Sequence, residues 1–198
     1  MREIIRAIRI TLVLWGITAI IYPLLMVVIG QTAFNNQANG SLITNQNGQI
    51  IGSALIGQTF TSSKYFKSRP STTNYSSFTE KERDANNLAQ TTGISGASNL
   101  APSNLDLLKQ VKERVNNLKI ANIQPTADLV YTSGSSLDPH ISLQAARNQI
   151  QQVAAARSIN PNQVEMLVAK NTDGRFLGIF GEPGVNVLNL NRALDSLQ

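Results

Sequence analysis

An α+β protein carried on one N-terminal transmembrane helix is the fold class that the sequence predicts, and three observations lead to it. Residues 10–29 are an uncharged apolar run long enough to cross a bilayer. The rest of the chain mixes strand-like stretches with segments of helical periodicity, without an internal repeat. Finally, 198 residues, 42% of them hydrophobic and 15% charged, leave room after the apolar run for one domain with its own core but not for two. The organisation expected is a basic N-terminus (1–9), a transmembrane helix (10–30), a polar linker (31–47) and one extracytoplasmic α+β domain (48–198).

The apolar run reads ITLVLWGITAIIYPLLMVVI. At 1.5 Å per residue a helix of that length spans the roughly 30 Å hydrocarbon layer. A cleaved secretory signal has a shorter apolar stretch and a small-x-small site, and GQTAF is a poor match ending at Ala33, so the run is read as an uncleaved anchor. Arg2, Arg6 and Arg9 precede it against the single Glu3, and no charge follows until Lys64. The positive-inside rule then places the N-terminus in the cytoplasm and the rest outside, as in a bacterial inner membrane with its periplasm. Of 17 basic and 12 acidic residues, three and one lie before the span, leaving 14 against 11 outside. That mild excess does not indicate nucleic acid binding. Within the span, Thr11, Trp15, Thr18 and Tyr22 follow i, i+4, i+7, i+11 spacing, a stripe suited to packing against another membrane helix. Threonines bonding back to their own helix explain the stripe equally well. Pro23 predicts a kink.

Beyond the linker, GQIIGSALIGQTF predicts a short strand pair or strand-turn, and SSKYFKSRPSTTNYSS a loop. Residues 78–92 are charged and poor in large apolar side chains, which predicts a surface helix or insertion. Ser103 with Asp106 predicts the start of a helix whose core face holds Leu105, Leu108, Val111, Val115 and Leu118. ADLVYTSG reads as a strand. SLQAARNQIQQVAAAR reads as a helix capped by Ser142, burying Ala146, Ile150 and Val153. Asn160 and Pro161 start another helix, with Gln163 placed for a capping box. DGRFLGIFG is a turn and strand, and VNVLNLNRALDSL passes from alternating to helical spacing.

Chemistry-bearing motifs are few. There is no cysteine, which removes disulfides, thiol nucleophiles and thiolate metal sites, and a lone histidine cannot build the usual zinc site. No phosphate-binding signature occurs. The segment SGSSLDPHIS gathers serines, an aspartate and the only histidine. A hydrolytic reading makes Ser133, Ser135 or Ser136 the nucleophile, His140 its base and Asp128 or Asp138 the orienting acid, and the set Ser135, Asp128 and His140 gives an anchored extracytoplasmic serine hydrolase as the alternative function. However, SGSSL lacks the second glycine of a nucleophile elbow. A turn is the more economical reading, with Gly134 at positive φ, Asp138 capping amides before Pro139 and Ser142 starting a helix. A second cluster, Lys64, Tyr65, Phe66 and Arg69, can grip an acidic surface or be a loop with two buried aromatics. As exposed loops, these two segments are the candidate docking face, and Lys64, Tyr65, Phe66, Arg69, Ser135, Asp138 and His140 its residues, together with the helix stripe.

In this order and spacing, the N-terminal span, GSALIGQTF, YFKSRPS, GISGASNLAPSN, SGSSLDPHIS, QVAAARSI and GEPGVNVLNLNRALD resemble the C subunit of the Kdp potassium-transporting P-type ATPase, the KdpC family. The resemblance covers nearly the whole chain. It implies a non-catalytic subunit working beside a KdpA-like potassium-selecting subunit, a KdpB-like P-type subunit that hydrolyses ATP, and a small KdpF-like subunit. It also implies stabilisation of the complex and a catalytic-chaperone role raising the ATP affinity of the B subunit. ATP is thus implied for the complex, while no cofactor is read as bound directly by this chain. The chain has neither a DKTGT phosphorylation motif nor a TVGYG filter. Two departures are local: Ser136 and Ala101 stand where the family usually has glycine, which puts the family's turn geometry there in doubt.

Overall fold

The computed structural model describes residues 1–45, 47–77 and 93–197, and the expected surface helix at 78–92 lies outside the described residues. The chain forms two compact units, Met1–Ile51 and Gly52–Gln198. Mixed helix and sheet follow one apolar N-terminal helix, as the sequence predicts.

The first unit opens with a helical run, Arg2–Ala33, long and apolar enough to cross a membrane and with none of its apolar window buried in the protein. It comprises α1 (Arg2–Gly16), a π-helical turn (Ile17–Ile21) and α2 (Tyr22–Ala33). Pro23 explains the π turn. Proline has no N–H to continue the ladder, and the Tyr22 N–H just before it reaches back five residues to the Ile17 carbonyl. That wider turn takes up an extra residue between Thr18 and Tyr22. The segment expected to be a polar linker starts in the last residues of α2 and continues into α3 (Asn35–Ala38), where the Gln31 Oε1 accepts from the side-chain amides of Asn35 and Asn39, each at 3.2 Å. Next comes β1 (Leu42–Thr44), followed by a turn in which the Asn45 Oδ1 accepts from the Asn47 and Gln49 N–H groups at 3.0 and 2.9 Å. β1 pairs with β2 (Ile50–Ser53), confirming the strand expected at GQII.

In the second unit, α4 (Leu105–Ile120) is capped by Asn104, whose side chain accepts from the Asp106 and Leu107 N–H groups, one residue later than the Ser103 cap expected. Only its C-terminal half packs: Leu118 is buried and Val111 and Val115 partly so, whereas Leu105 and Leu108 are exposed. The predicted strand at ADLVYTSG is instead a four-residue helix, α5 (Ala127–Val130), which buries Leu129 and Val130 together. Neighbouring residues both point inward at the end of a helix lying on the core, whereas a strand would send them to opposite faces. The predicted long helix after Ser142 is two, α6 (Leu143–Arg147) and α7 (Ile150–Arg157). Ser142 does cap the first, accepting from the Ala145 N–H at 3.1 Å. α8 (Pro161–Lys170) starts at the Asn160 cap with Pro161 in its first turn, and α9 (Val187–Asp195) closes the unit, as read from the sequence.

A small antiparallel sheet has the order β3 (His140–Ile141), β5 (Gly184–Asn186), β4 (Thr172–Asp173), with Ile141 opposite Val185 and His140 opposite Asn186. Phe66, Ile141, Val153, Val164, Val168, Val185, Leu190 and Leu194 fill the core between this sheet and α6–α9. Each such side chain contributes roughly 1.5–3 kcal/mol by leaving water.

Candidate functional site

Two polar segments singled out by sequence meet at one ion pair. Residues 64–67 have no regular secondary structure, yet Phe66 is completely buried, so its place among candidate contact residues is corrected to the core. An irregular backbone can run through an interior only if its N–H and C=O groups find partners. Here helix side chains supply them. The Asn191 amide takes the Phe66 N–H on Oδ1 at 2.8 Å and donates to the Phe66 carbonyl at 3.0 Å. The Gln149 amide does the same for Lys67, at 2.7 and 3.3 Å. Both amides are buried, and each imitates the pairing of a neighbouring strand. At the N-terminal end the Arg157 guanidinium, only 2% exposed, donates to the Lys64 carbonyl, to the Leu194 carbonyl and to Asp195, and stacks 4.8 Å from the centre of the Tyr65 ring. The Tyr65 hydroxyl also donates to Asp195. Asn191, Gln149 and Arg157 lie outside the residues that the sequence marks as functional. A signal for the first exists in VLNLNRAL, because Asn191 stands four residues after Val187 and three before Leu194, on the helical face that both bury.

At the other end Arg69 Nη1 donates to Asp138 Oδ2 at 2.9 Å, joining the first segment to SGSSLDPHIS. The second carboxylate oxygen of Asp138 accepts the His140 N–H at 3.0 Å, the cap expected before Pro139. The imidazole lies between two carboxylates, with Nδ1 3.6 Å from Asp138 and Nε2 2.9 Å from Asp173 on β4. Gly184 on β5 makes room for it, since a Cβ there would stand 3.1 Å from the His140 Cβ. Although burial opposes it, the flanking Asp138 raises the imidazole above its ordinary range, and Asp173 adds to this. Burial pushes Asp138 up, but hydrogen bonds from His140 and the charge of Arg69 hold it below the usual carboxylate range. These side chains line an open groove of about 680 Å³ together with Asp128, Tyr131 and Glu182. A second cavity of about 410 Å³ lies on the far side of Arg69, against Lys67, Tyr75 and Arg114. Burial drives the Tyr75 phenol to about 12, and its hydroxyl donates to the Arg69 carbonyl.

The turn differs from expectation in one respect. Positive φ occurs at Ser136, at 59°, and not at Gly134. The backbone thus keeps a left-handed residue where the resemblance expects glycine, and the serine hydroxyl is used: it accepts the Thr72 N–H at 3.1 Å, lies 2.6 Å from the Thr72 hydroxyl and donates to the Gly96 carbonyl at 2.6 Å. Gly57 is the close approach beside it, as a Cβ there would fall 2.4 Å from the Tyr75 ring and 2.9 Å from the Asp138 carbonyl.

The hydrolytic reading finds no support in this geometry. Ser135 Oγ accepts from the Leu137 N–H, Asp128 accepts from the Ser142 N–H at 2.6 Å, and both imidazole nitrogens face carboxylates. Among the described residues no hydrogen bond joins Ser135 to His140, which a triad requires. No group of three or more acidic or histidine residues is arranged to hold a metal among the described residues. In the helical run, Thr11, Trp15, Thr18 and Tyr22 are not buried within the unit, and Thr18 donates to the Leu14 carbonyl at 2.8 Å, the local bonding weighed against a helix contact.

An apolar helix of membrane-spanning length followed by a small α+β unit defines the class among the described residues: an α+β protein with one N-terminal candidate membrane span. Comparison with known proteins is more particular. The chain belongs to the KdpC family, matching the family model for the K+-transporting ATPase, c chain, over residues 4–196. It is 60% identical over 198 residues to potassium-transporting ATPase KdpC subunit 1 of a Nostoc species, covering 100% of this chain and 97% of that one. It is 60% identical over 208 residues to the KdpC subunit of Microcystis aeruginosa, covering 99% and 96%, and 57% identical over 195 residues to that of Synechocystis, covering 98% of each. The hydrolase alternative is not favoured by these relatives.

Proposed function

We propose that this chain is a non-catalytic accessory subunit of a potassium-transporting ATPase, held in the membrane by its N-terminal helix. The observation that carries the reading is the family match over residues 4–196 in a chain with one apolar helix of membrane-spanning length. Arg2, Arg6 and Arg9 before that helix support a cytoplasmic N-terminus and an extracytoplasmic second unit. The partners are a KdpA-like potassium-selecting subunit, a KdpB-like P-type subunit that binds and hydrolyses ATP, and a small KdpF-like subunit. Two attachments, one in the membrane and one outside, reinforce each other because tethering either raises the effective concentration of the other. An influence on ATP affinity in the cytoplasm then passes through the spanning helix and the A-like subunit. Arg69, Ser135, Asp138 and His140, with exposed Lys64 and half-buried Tyr65, remain the polar part of the docking face, and Thr11, Trp15, Thr18 and Tyr22 the membrane part.

A pull-down through a C-terminal tag in mild detergent tests this reading. The larger membrane subunits of the transporter are expected in stoichiometric amounts, and recovery of the chain alone would contradict it.

A further inference from the structure

Residues 174–183, GRFLGIFGEP, form the most apolar exposed feature of the second unit. Phe176 and Phe180 bridge across a tight turn, with the Phe176 N–H donating to the Phe180 carbonyl at 2.8 Å and the Phe180 N–H to that of Phe176 at 2.9 Å. Leu177 and Gly178 take φ of 52° and 76° at the tip, and the Gly178 N–H closes the turn on the Arg175 carbonyl. Phe176, Leu177, Ile179 and Phe180 are 61–73% exposed although each side chain favours burial. Four large apolar residues on a hydrogen-bonded turn are not the composition of an ordinary solvent loop, in which polar residues would serve.

We infer that this hairpin tip is a docking knob that inserts into an apolar pocket on another subunit of the transporter; this rests on the accessory-subunit reading and names the contact it uses. Charge separates a protein pocket from a lipid surface. The cations at the base of the knob are already paired, Arg175 with Glu182 at 3.3 Å and His140 with Asp173 at 2.9 Å. These two pairs therefore offer little free positive charge to anionic head groups, and the segment contains no Trp or Tyr, the residues of the aromatic belt at a bilayer interface. Its turn is instead held in one shape by backbone hydrogen bonds, which lowers the ordering cost of entering a shaped pocket. Aromatic anchors surrounded by a neutral rim are the usual composition of an interface centre. The knob is too small for a stable complex by itself, and the membrane span supplies the second attachment that makes it effective. The His140–Asp173 bond ties the knob's first strand to β3, so the polar segment 133–140 positions the knob from behind.

The test uses the full chain in the assembled transporter. A photoreactive phenylalanine in place of Leu177 is expected to give a covalent adduct with another subunit on irradiation. Phe176→Ser with Phe180→Ser is expected to reduce recovery of the other subunits in a mild-detergent pull-down by about tenfold or more, as loss of two aromatic anchors implies. Thermal unfolding of that variant should stay close to the unmodified chain because both side chains are exposed. Adducts to lipid alone, or no adduct from a chain that still recovers the other subunits, would overturn the knob while leaving the accessory reading intact. Failure of the unmodified chain to recover any other subunit would remove the accessory reading and the knob with it. If the double variant does not fold, the crosslink decides alone.

Discussion

Segment 64–69, with three basic residues and two aromatic rings, and segment 133–140, with three serines, an aspartate and the histidine, are both largely irregular in backbone, and they are held in place differently. The first passes through the interior, with Phe66 buried and its backbone served by Asn191 and Gln149. The second forms the rim of a groove, knotted by Ser136 and bridged by His140 to Asp173. What separates them is the supply of partners. Helix amides can replace a missing strand and let an irregular segment sink into a core, whereas carboxylates that retain solvent can stay at a surface and pair with a neighbouring arginine or histidine. Among the described residues the two touch through charge at Arg69–Asp138.

The largest effects are therefore expected in the first segment. Phe66→Ala should cost about 3–5 kcal/mol through loss of burial and the cavity left behind. Asn191→Leu, which leaves both backbone groups of Phe66 unsatisfied, should cost about 2–4 kcal/mol. Denaturant unfolding of the second unit checks both, and a change below about 1 kcal/mol for Asn191→Leu would mean that the amide is not the partner this segment depends on.

A finer distinction exists at Ser136. Ser136→Ala removes the hydroxyl bonds but keeps a side chain at positive φ, and should cost about 1–3 kcal/mol. Ser136→Gly loses the same bonds and relieves the left-handed backbone, a gain of about 1 kcal/mol. Glycine should thus be the milder change by unfolding midpoint. The opposite order would show that the left-handed backbone at this position carries no strain for glycine to relieve.

The smallest expected effect is pH-dependent. Because the folded-state pKa of His140 is raised, its stabilising contribution is fully present below the unfolded value of 6.5 and is lost as pH rises through the folded one. Asp138, whose folded pKa is lowered, behaves oppositely: its contribution is present above the unfolded value of about 3.8 and is lost as pH falls through the folded one. His140→Gln should flatten the decline in melting temperature above pH 6.5 and also weaken the acid limb, which then rests on the backbone N–H of residue 140 and on Arg69. The slope should be shallow, since the ring is 37% and Asp173 is 71% exposed and solvent screens the pair.

Much of this is legible in the sequence where one local signal decides the outcome. An uncharged apolar run, a Ser142 or Asn160 cap and the switch from β5 into α9 each depend on neighbours a few residues apart. The interior path of residues 64–67 is not, because its partners lie 82 and 125 positions away. Nor is the helix at Ala127–Val130, where four residues are too few to separate a period of two from one of 3.6. At the candidate site, Asp138 as a cap is readable from its place before Pro139, whereas the bond from His140 to Asp173 is made by sheet register. Residue type alone assigns the left-handed position to Gly134, and the hydroxyl contacts that support Ser136 in that conformation come from distant parts of the chain.

Potassium-stimulated ATP hydrolysis by the purified transporter tests the central claim most directly, measured with the unmodified chain, with Ser135→Ala plus His140→Ala, and without the chain. The account predicts loss of activity when the chain is absent and, for the double variant, which trims the polar docking face but removes no catalytic group, a partial loss well short of the roughly 10⁴-fold loss that a missing triad residue produces. Full activity without the chain, or a double variant as inactive as its omission, would contradict it.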